Sequence, residues 1–356
     1  PGDLDCKDSS ELVTIRVFDK AGNMTETTDD INFDETPPSG DLAIAGNVAG
    51  YDNDGIVALT ANCYDNGYAG YNSGCAKVEY SNDNATWDVS ETWTANPVTT
   101  QSSWGLDTTA QGERTVYIRV TDLAGNVNDV AVNPISNTIF YDADIPTGSV
   151  VINGDEAQTN SVTVTVDVDC TDGGVTTEDS GCALVEYSIN DGATWDAATA
   201  STITDGSYTD LKTVVIDPAA TPVDGDKQLW IRLTDQAGNT NTYTDKILYD
   251  ANAPTVTFSI NDAADLYTNV VGVTLNISCD DGGSGCDYAM VSNDGFATAG
   301  SGPYDLSAQD PLVGAYAIAP PWDLAANDGN KVVTIRVFDK AGNMTDTTDD
   351  INFDET

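Results

Sequence analysis

The chain has 356 residues, 58 of them acidic against 13 basic, with no histidine and a formal net charge of −45. That balance excludes nucleic-acid binding, which needs a basic stripe, and the absence of any run of 18 apolar residues excludes a helical membrane span in this segment. Aromatic and β-branched residues recur in strand-like patterns, so the acidity is not that of a disordered chain. It reads either as a solvated coat or as a supply of ligands for hard cations.

The chain opens on Pro1 to Thr36. Leu12 to Thr36 reads LVTIRVFDKAGNMTETTDDINFDET: an alternating run, an Asp-x-Ala-Gly-Asn turn, then a second run ending in acids. Alternation marks a half-buried strand, and Gly and Asn accept the positive φ of a tight turn, so the unit is a β-hairpin followed by an acidic linker. Looser copies occur at Thr115–Asn126 and Gln228–Asn239, and a close one at Val332–Thr356. Their arginines, Arg16, Arg119, Arg232 and Arg336, are 103, 113 and 104 residues apart, a period that suits one β-sandwich each. Residues 1–36 match 321–356 at 27 of 36 positions without a gap, an offset of 320. Duplication of a three-domain block within a longer array explains that offset most simply.

Four segments follow: a hairpin fragment of an incomplete domain (1–36) and three whole domains (37–144, 145–253 and 254–356). The fragment holds two strands, and a lone hairpin is marginal in water. It is completed by residues outside this segment, by another chain, or not at all. The linkers DETPP (Asp34–Pro38), DADIP (Asp142–Pro146) and DANAP (Asp250–Pro254) are short and stiffened by proline, so the expected arrangement is a rod.

Each domain opens with a strand after the linker proline (DLAIAG, GSVVING, VTFSIND). An alternating run then ends at a cysteine, and a second cysteine opens the next run: Cys63/Cys75, Cys170/Cys182 and Cys279/Cys286. One local pair per domain points to a disulfide and hence to an oxidising, extracellular compartment. Zinc would need four ligands per site and is excluded. Cys6 is left over and is expected to pair outside this segment. The stretch from Val89 to Gly112 carries no readable strand pattern.

The Asp-x-Ala-Gly-Asn hairpin, the Tyr-Ser…Asp…Thr-Trp turn (Tyr80–Trp87, Tyr187–Trp195) and the acid-rich linkers before proline resemble tandem bacterial immunoglobulin-like domains of large surface adhesins and fibres. DANAP is also similar to the calcium linkers of cadherins. The resemblance covers the whole chain and implies an all-β fold of tandem immunoglobulin-like sandwiches. It also implies a cell-surface or secreted filament, and calcium at the domain junctions. The cysteine pair around the B–C loop departs from most such repeats.

In that sandwich the B–C and F–G loops lie where the preceding linker arrives, and the A–B turn of the preceding domain lies nearby. Acids therefore converge at each junction. The first gathers Asp34, Glu35, Asp65 and Asp122. The second gathers Asp52, Asp54, Asp142, Asp144, Asp172, Asp179 and Asp235. The third gathers Asp155, Glu156, Asp250, Asn252, Asp280, Asp281 and Asp339. So many carboxylates repel unless a cation sits between them, and calcium accepts six to eight oxygens in forgiving geometry. The bland reading of each is an ordinary turn or solvated linker acid. Trp87 and Trp195 are either core caps or a sugar-stacking platform. With no histidine, no nucleophile elbow and no phosphate loop, the chain is read as a non-enzyme. The expected function is a calcium- and disulfide-stiffened stalk whose partners are other copies of the same repeat. The alternatives are an adhesin that recognises a glycan or surface protein, and a fibre subunit joined by strand addition.

Overall fold

Alternation sets the architecture. In Ile56–Tyr64 the buried side chains are Val57, Leu59, Ala61 and Cys63, and in Thr163–Thr171 they are Val164, Val166, Val168 and Cys170; the residues between them point outward. A period of two buries one face of a sheet, and two such faces then close on each other. The computed structural model describes residues 8–66, 71–92, 98–128, 130–173, 179–197, 207–307 and 316–355. Among them every regular element is a β-strand.

Strands β1 (Ser9–Phe18) and β2 (Met24–Phe33) form a two-stranded antiparallel sheet. The first sandwich comprises β3 (Ser39–Ala45), β4 (Tyr51–Asp52), β5 (Ile56–Tyr64), β6 (Cys75–Ser81), β7 (Val89–Thr92), β8 (Val98–Gly105), β9 (Gly112–Asp122) and β10 (Ile135–Tyr141). The second comprises β11 (Thr147–Ile152), β12 (Gln158–Thr159), β13 (Thr163–Thr171), β14 (Cys182–Ser188), β15 (Asp196–Ala197), β16 (Ser207–Val215), β17 (Gly225–Asp235) and β18 (Thr240–Tyr249). The third comprises β19 (Thr255–Ile260), β20 (Tyr267–Thr268), β21 (Gly272–Val273), β22 (Leu275–Asp280), β23 (Cys286–Ser292), β24 (Ser301–Asp305), β25 (Tyr316–Ala317), β26 (Trp322–Asp323), β27 (Gly329–Asp339) and β28 (Met344–Phe353).

Each sandwich has a three-stranded sheet (β3-β5-β8, β11-β13-β16, β19-β22-β25) against a five-stranded one (β4-β10-β9-β6-β7, β12-β18-β17-β14-β15, β20-β28-β27-β23-β24), with β21 and β26 as a further short pair in the third. The short β4, β12 and β20 run parallel to the last strand of their sandwich, and the other pairings are antiparallel. This is the immunoglobulin order A-B-E over A′-G-F-C-C′, three times in tandem. The unreadable stretch after Val89 supplies C′ (β7) and E (β8). Its pattern is weak because β7 is a short edge strand and the start of β8 is polar. Of its described side chains, Trp104 and Leu106 at its far end enter the core, where Trp104 lies against Tyr80 with ring centroids 5.7 Å apart and donates its Nε1–H to Asn82 Oδ1.

The outer face of the five-stranded sheet carries the recurring arginine. Arg119 pairs with Glu79 at 2.8 Å, Arg232 with Glu186 at 2.6 Å, and Arg336 with Asp346 at 2.8 Å. Arg16 pairs in the same way with Glu26. Each of the first three guanidiniums also lies over an aromatic ring: Trp87 at 4.7 Å, Trp195 at 4.5 Å and Phe296 at 4.6 Å. The two tryptophans therefore spend a face on their own arginine, which leaves that face unavailable to a sugar.

Disulfides join Cys63 to Cys75, Cys170 to Cys182 and Cys279 to Cys286, at sequence separations of 12, 12 and 7. Each ties the B strand of one sheet to the C strand of the other. Cys6 lies outside the described residues. Closing a loop of this size contributes about 3 kcal/mol on the chain-entropy model. The double variant Cys170→Ala/Cys182→Ala is therefore expected to lower the denaturation midpoint of the second sandwich alone. A urea titration followed by near-UV circular dichroism reads this, and an unchanged midpoint would show that the bridge adds nothing to stability.

Candidate metal centre

The Asp-x-Ala-Gly-Asn turn is built by its own aspartate. Asp235 Oδ1 accepts the Asn239 N–H and Oδ2 accepts the Asn239 side-chain amide, both at 2.8 Å. Gly238 supplies the turn's left-handed residue at φ +93°. Asp122 and Asp339 do the same with Asn126 and Asn343. The second amide hydrogen of each asparagine goes to the backbone carbonyl of the preceding linker aspartate: Asn126 to Asp34, Asn239 to Asp142 and Asn343 to Asp250, all at 2.9 Å. The F–G hairpin of one unit thus grips the linker that enters it.

The linker aspartate is the first residue past the last strand of the preceding unit, and its own N–H extends that unit's parallel ladder. Asp142 N donates to Asp52 O at 2.9 Å and Asp250 N to Thr159 O at 3.0 Å. Its carboxylate turns into the following unit. Oδ1 closes a local turn on the residue two further on, and Oδ2 accepts a B–C loop amide: Ser73 for Asp34 (2.7 Å), Ser180 for Asp142 (2.8 Å) and Ser284 for Asp250 (2.7 Å). A third aspartate stands two residues past the first cysteine. Asp65, Asp172 and Asp281 accept the N–H of Gly74, Gly181 and Gly285 at 2.6 to 2.7 Å.

One carboxylate oxygen from each of three sources therefore meets the others within 4.8 Å. The groups are Asp34, Asp65 and Asp122; Asp142, Asp172 and Asp235; and Asp250, Asp281 and Asp339. In the second group Asp142 is fully buried, Asp172 is 4% exposed and Asp235 is 2% exposed. Among the described residues Oδ1 of Asp172 is buried with no hydrogen-bond partner, as is Oδ1 of Asp65. Burial, reinforced by the charge of Asp142, pushes the Asp172 carboxyl up to about 6. Burial first, then neighbouring carboxylates, also raise Asp65 and Asp339, and burial followed by Asp142 raises Asp235. Two like charges about 4 Å apart repel by about 4 kcal/mol at an effective dielectric of about 20. Buried acidic oxygens at this spacing, one of them unpaired, fit a hard divalent cation.

The other acids named from sequence stand outside these groups. Asp52 is fully buried but folds back on its own turn, where Oδ2 accepts the Gly55 N–H at 2.7 Å. Asp54 is exposed and caps Ile56. Asp155 and Glu156 are exposed in the A–B turn, and Asp155 holds φ +76°. Glu35, Asp144 and Asn252 are exposed linker residues. Asp280 faces outward at the end of β22, because Cys279 before it faces the core. Asp179 is half-buried against Gly173.

Sequence reading missed one position. Asp8, Gln111, Asp224 and Asp328 each accept the N–H of the residue after a linker aspartate or its equivalent: Glu35 (2.9 Å), Ala143 (2.8 Å), Ala251 (2.9 Å) and Glu355 (2.8 Å). The signal was present, since each precedes its hairpin aspartate by 11 residues. Across the junction, Tyr51 of the first unit and Gln236 in the F–G turn of the second share a hydrogen bond of 2.8 Å.

No family model matches the chain, and no curated protein matches it in sequence. Among solved structures it is similar to a tetra-tandem repeat in the extending region of a large adhesion protein, at 18% identity over 98% of this chain and 83% of that one, with a TM-score of 0.33. It is also similar to a structure from a 1.5-MDa bacterial ice-binding adhesin, at 20% identity over 89% and 98%, with a TM-score of 0.36. A third likeness is to the FN1–FN3 domains of chicken CNTN1, at 13% identity over 89% of this chain and 99% of that one, with a TM-score of 0.30. These neighbours are tandem immunoglobulin- or fibronectin-like repeats of adhesins and cell-adhesion proteins.

Proposed function

We propose that this chain is a load-bearing segment of an extracellular repeat protein, in which calcium held at each junction fixes one sandwich against the next. The observation that carries the reading is the buried second group, Asp142, Asp172 and Asp235, with Asp172 Oδ1 left without a donor among the described residues. Three carboxylates from linker, B–C loop and F–G turn would hold the ion, and carbonyl groups and water would complete its six to eight oxygens. Magnesium keeps its waters more tightly and suits such a site less. Bound calcium removes the repulsion among the acids and ties three separate chain segments to one point. The three disulfides support an oxidising location.

A ligand that binds only the folded state adds about 2.7 kcal/mol at a hundred times its Kd. For sandwiches of this size that is a rise of roughly 10–20 °C in Tm. Non-reducing thermal melts with excess calcium and with chelator test it, and superimposable curves would leave the acids as a solvent coat.

Asp142→Asn or Asp235→Asn is expected to remove one calcium and loosen one junction while both flanking sandwiches stay folded. Small-angle scattering in saturating calcium, with ion counting by titration calorimetry, reads both effects. An unchanged scattering profile and ion count would contradict the junction sites.

The raised Asp172 carboxyl gives opposite pH trends with and without the ion. In chelator, the unfolded chain releases this proton near pH 4 and the folded chain holds it to about 6, so stability falls as pH rises through that window and then levels. Calcium must displace the same proton, so its affinity weakens by up to about tenfold per pH unit below 6. Calorimetric titrations between pH 5 and 7.5 check the second trend, and chelator melts from pH 4 to 7 check the first.

A further inference from the structure

The hairpin β1–β2 repeats β27–β28 almost residue for residue: Leu12–Thr36 and Val332–Thr356 agree at 23 of 25 positions, with the same pairing register. Their surroundings differ. Val333, Ile335 and Val337 are fully buried and Ile351 is 1% exposed, whereas their counterparts Val13, Ile15, Val17 and Ile31 are 51–62% exposed. In the third sandwich that face is covered by a core that includes Leu275, Ile277, Cys279, Val291, Leu306 and Ile318.

A second difference lies at the junction that follows. A Cβ placed on Gly238 in the F–G turn of the second unit would sit 3.6 Å from Asn53 Nδ2 of the unit before it, and one on Gly342 would sit 3.7 Å from Asn160 Nδ2. Among the described residues nothing lies within 4 Å of a Cβ placed on the equivalent Gly125, and Leu123 in the same turn is 72% exposed. Asn53 and Asn160 each follow the short parallel A′ strand, and the third unit presents Asn269 at the same place. There it lies beside Leu266, 66% exposed, and Tyr267, 74% exposed.

We propose that the apolar face of β1–β2 is a docking surface for a polypeptide with the side-chain chemistry of residues 254–320. Docking completes a sandwich whose A–B turn, carrying the counterparts of Leu266, Tyr267 and Asn269, then seats on Leu123 and Gly125. One occupant accounts for both differences, because the segment that covers Val13, Ile15, Val17 and Ile31 also brings the loop that meets the F–G turn. The inference rests on packing and does not depend on calcium.

The test extends the full chain with a second copy of residues 254–320 ahead of Pro1, which keeps the 320-residue register. Amide exchange of Val13, Ile15, Val17 and Ile31 is compared with and without the extension, across a range of protein concentrations. The expected result is protection at least 100-fold greater in the extended chain, matching Val333, Ile335, Val337 and Ile351, independent of concentration and lost in Ile15→Asp. Unchanged exchange in the extended chain overturns the proposal. So does equal protection in the unextended chain at high concentration, which would make a second hairpin the occupant.

Discussion

The structure depends on a single asparagine amide at each junction. Asn239 divides its two side-chain hydrogens between Asp235, which shapes its own hairpin, and the carbonyl of Asp142, which belongs to the linker. The hairpin turn cannot form in its native shape without orienting that amide, and an amide so oriented has its second hydrogen at the linker. Local turn chemistry and the placement of one unit on the next are thus the same interaction. It recurs at Asn126 and Asn343 with the same distances.

The acidity of the chain is of two physical kinds. Asp83, Asp294 and Asp305 are exposed turn formers whose carboxylates accept backbone and hydroxyl hydrogen bonds, which hold them below the usual carboxylate range. They are content as anions in water and need no cation. Asp65, Asp172, Asp235 and Asp339 are the reverse, raised because burial removes water faster than hydrogen bonds replace it. A net charge of −45 therefore says little about cation binding by itself. What distinguishes the junction acids is burial among one another.

Much of this was legible in the chain. The repeated hairpin gave the period, and alternation gave the buried faces of β5, β13 and β22. Loop topology brings linker, B–C and F–G aspartates to one pole, where the structure also places them together. The A–B acids were less readable, because Asp52 turns Oδ2 back on Gly55, keeps Oδ1 buried without a partner among the described residues, and stands outside the three groups at the pole. Asp280 and Asp281 are adjacent and chemically identical, and only the inward direction of Cys279 decides between them. Had the count been taken from the cysteine, the rule of two residues onward would have picked Asp65, Asp172 and Asp281 alike. The position of Asp8, Gln111 and Asp224 escaped because its offset of 11 is visible only when the hairpins are aligned on their aspartates.

That last position also makes the junctions unequal. At the second junction the side chain that holds the linker backbone is the neutral Gln111, and at the first and third it is Asp8 and Asp224. The hydrogen bond to the linker N–H survives the exchange, since an amide oxygen accepts as a carboxylate oxygen does. The charge does not survive it. At this one position the first and third junctions carry a carboxylate where the second carries an amide, and the third in turn has Asn252 where the second has Asp144, while the second buries its three acids most completely with an unpaired oxygen among them. Geometry is thereby conserved along the array while electrostatics vary. Junctions of one geometry can differ in how strongly each resists its own charge.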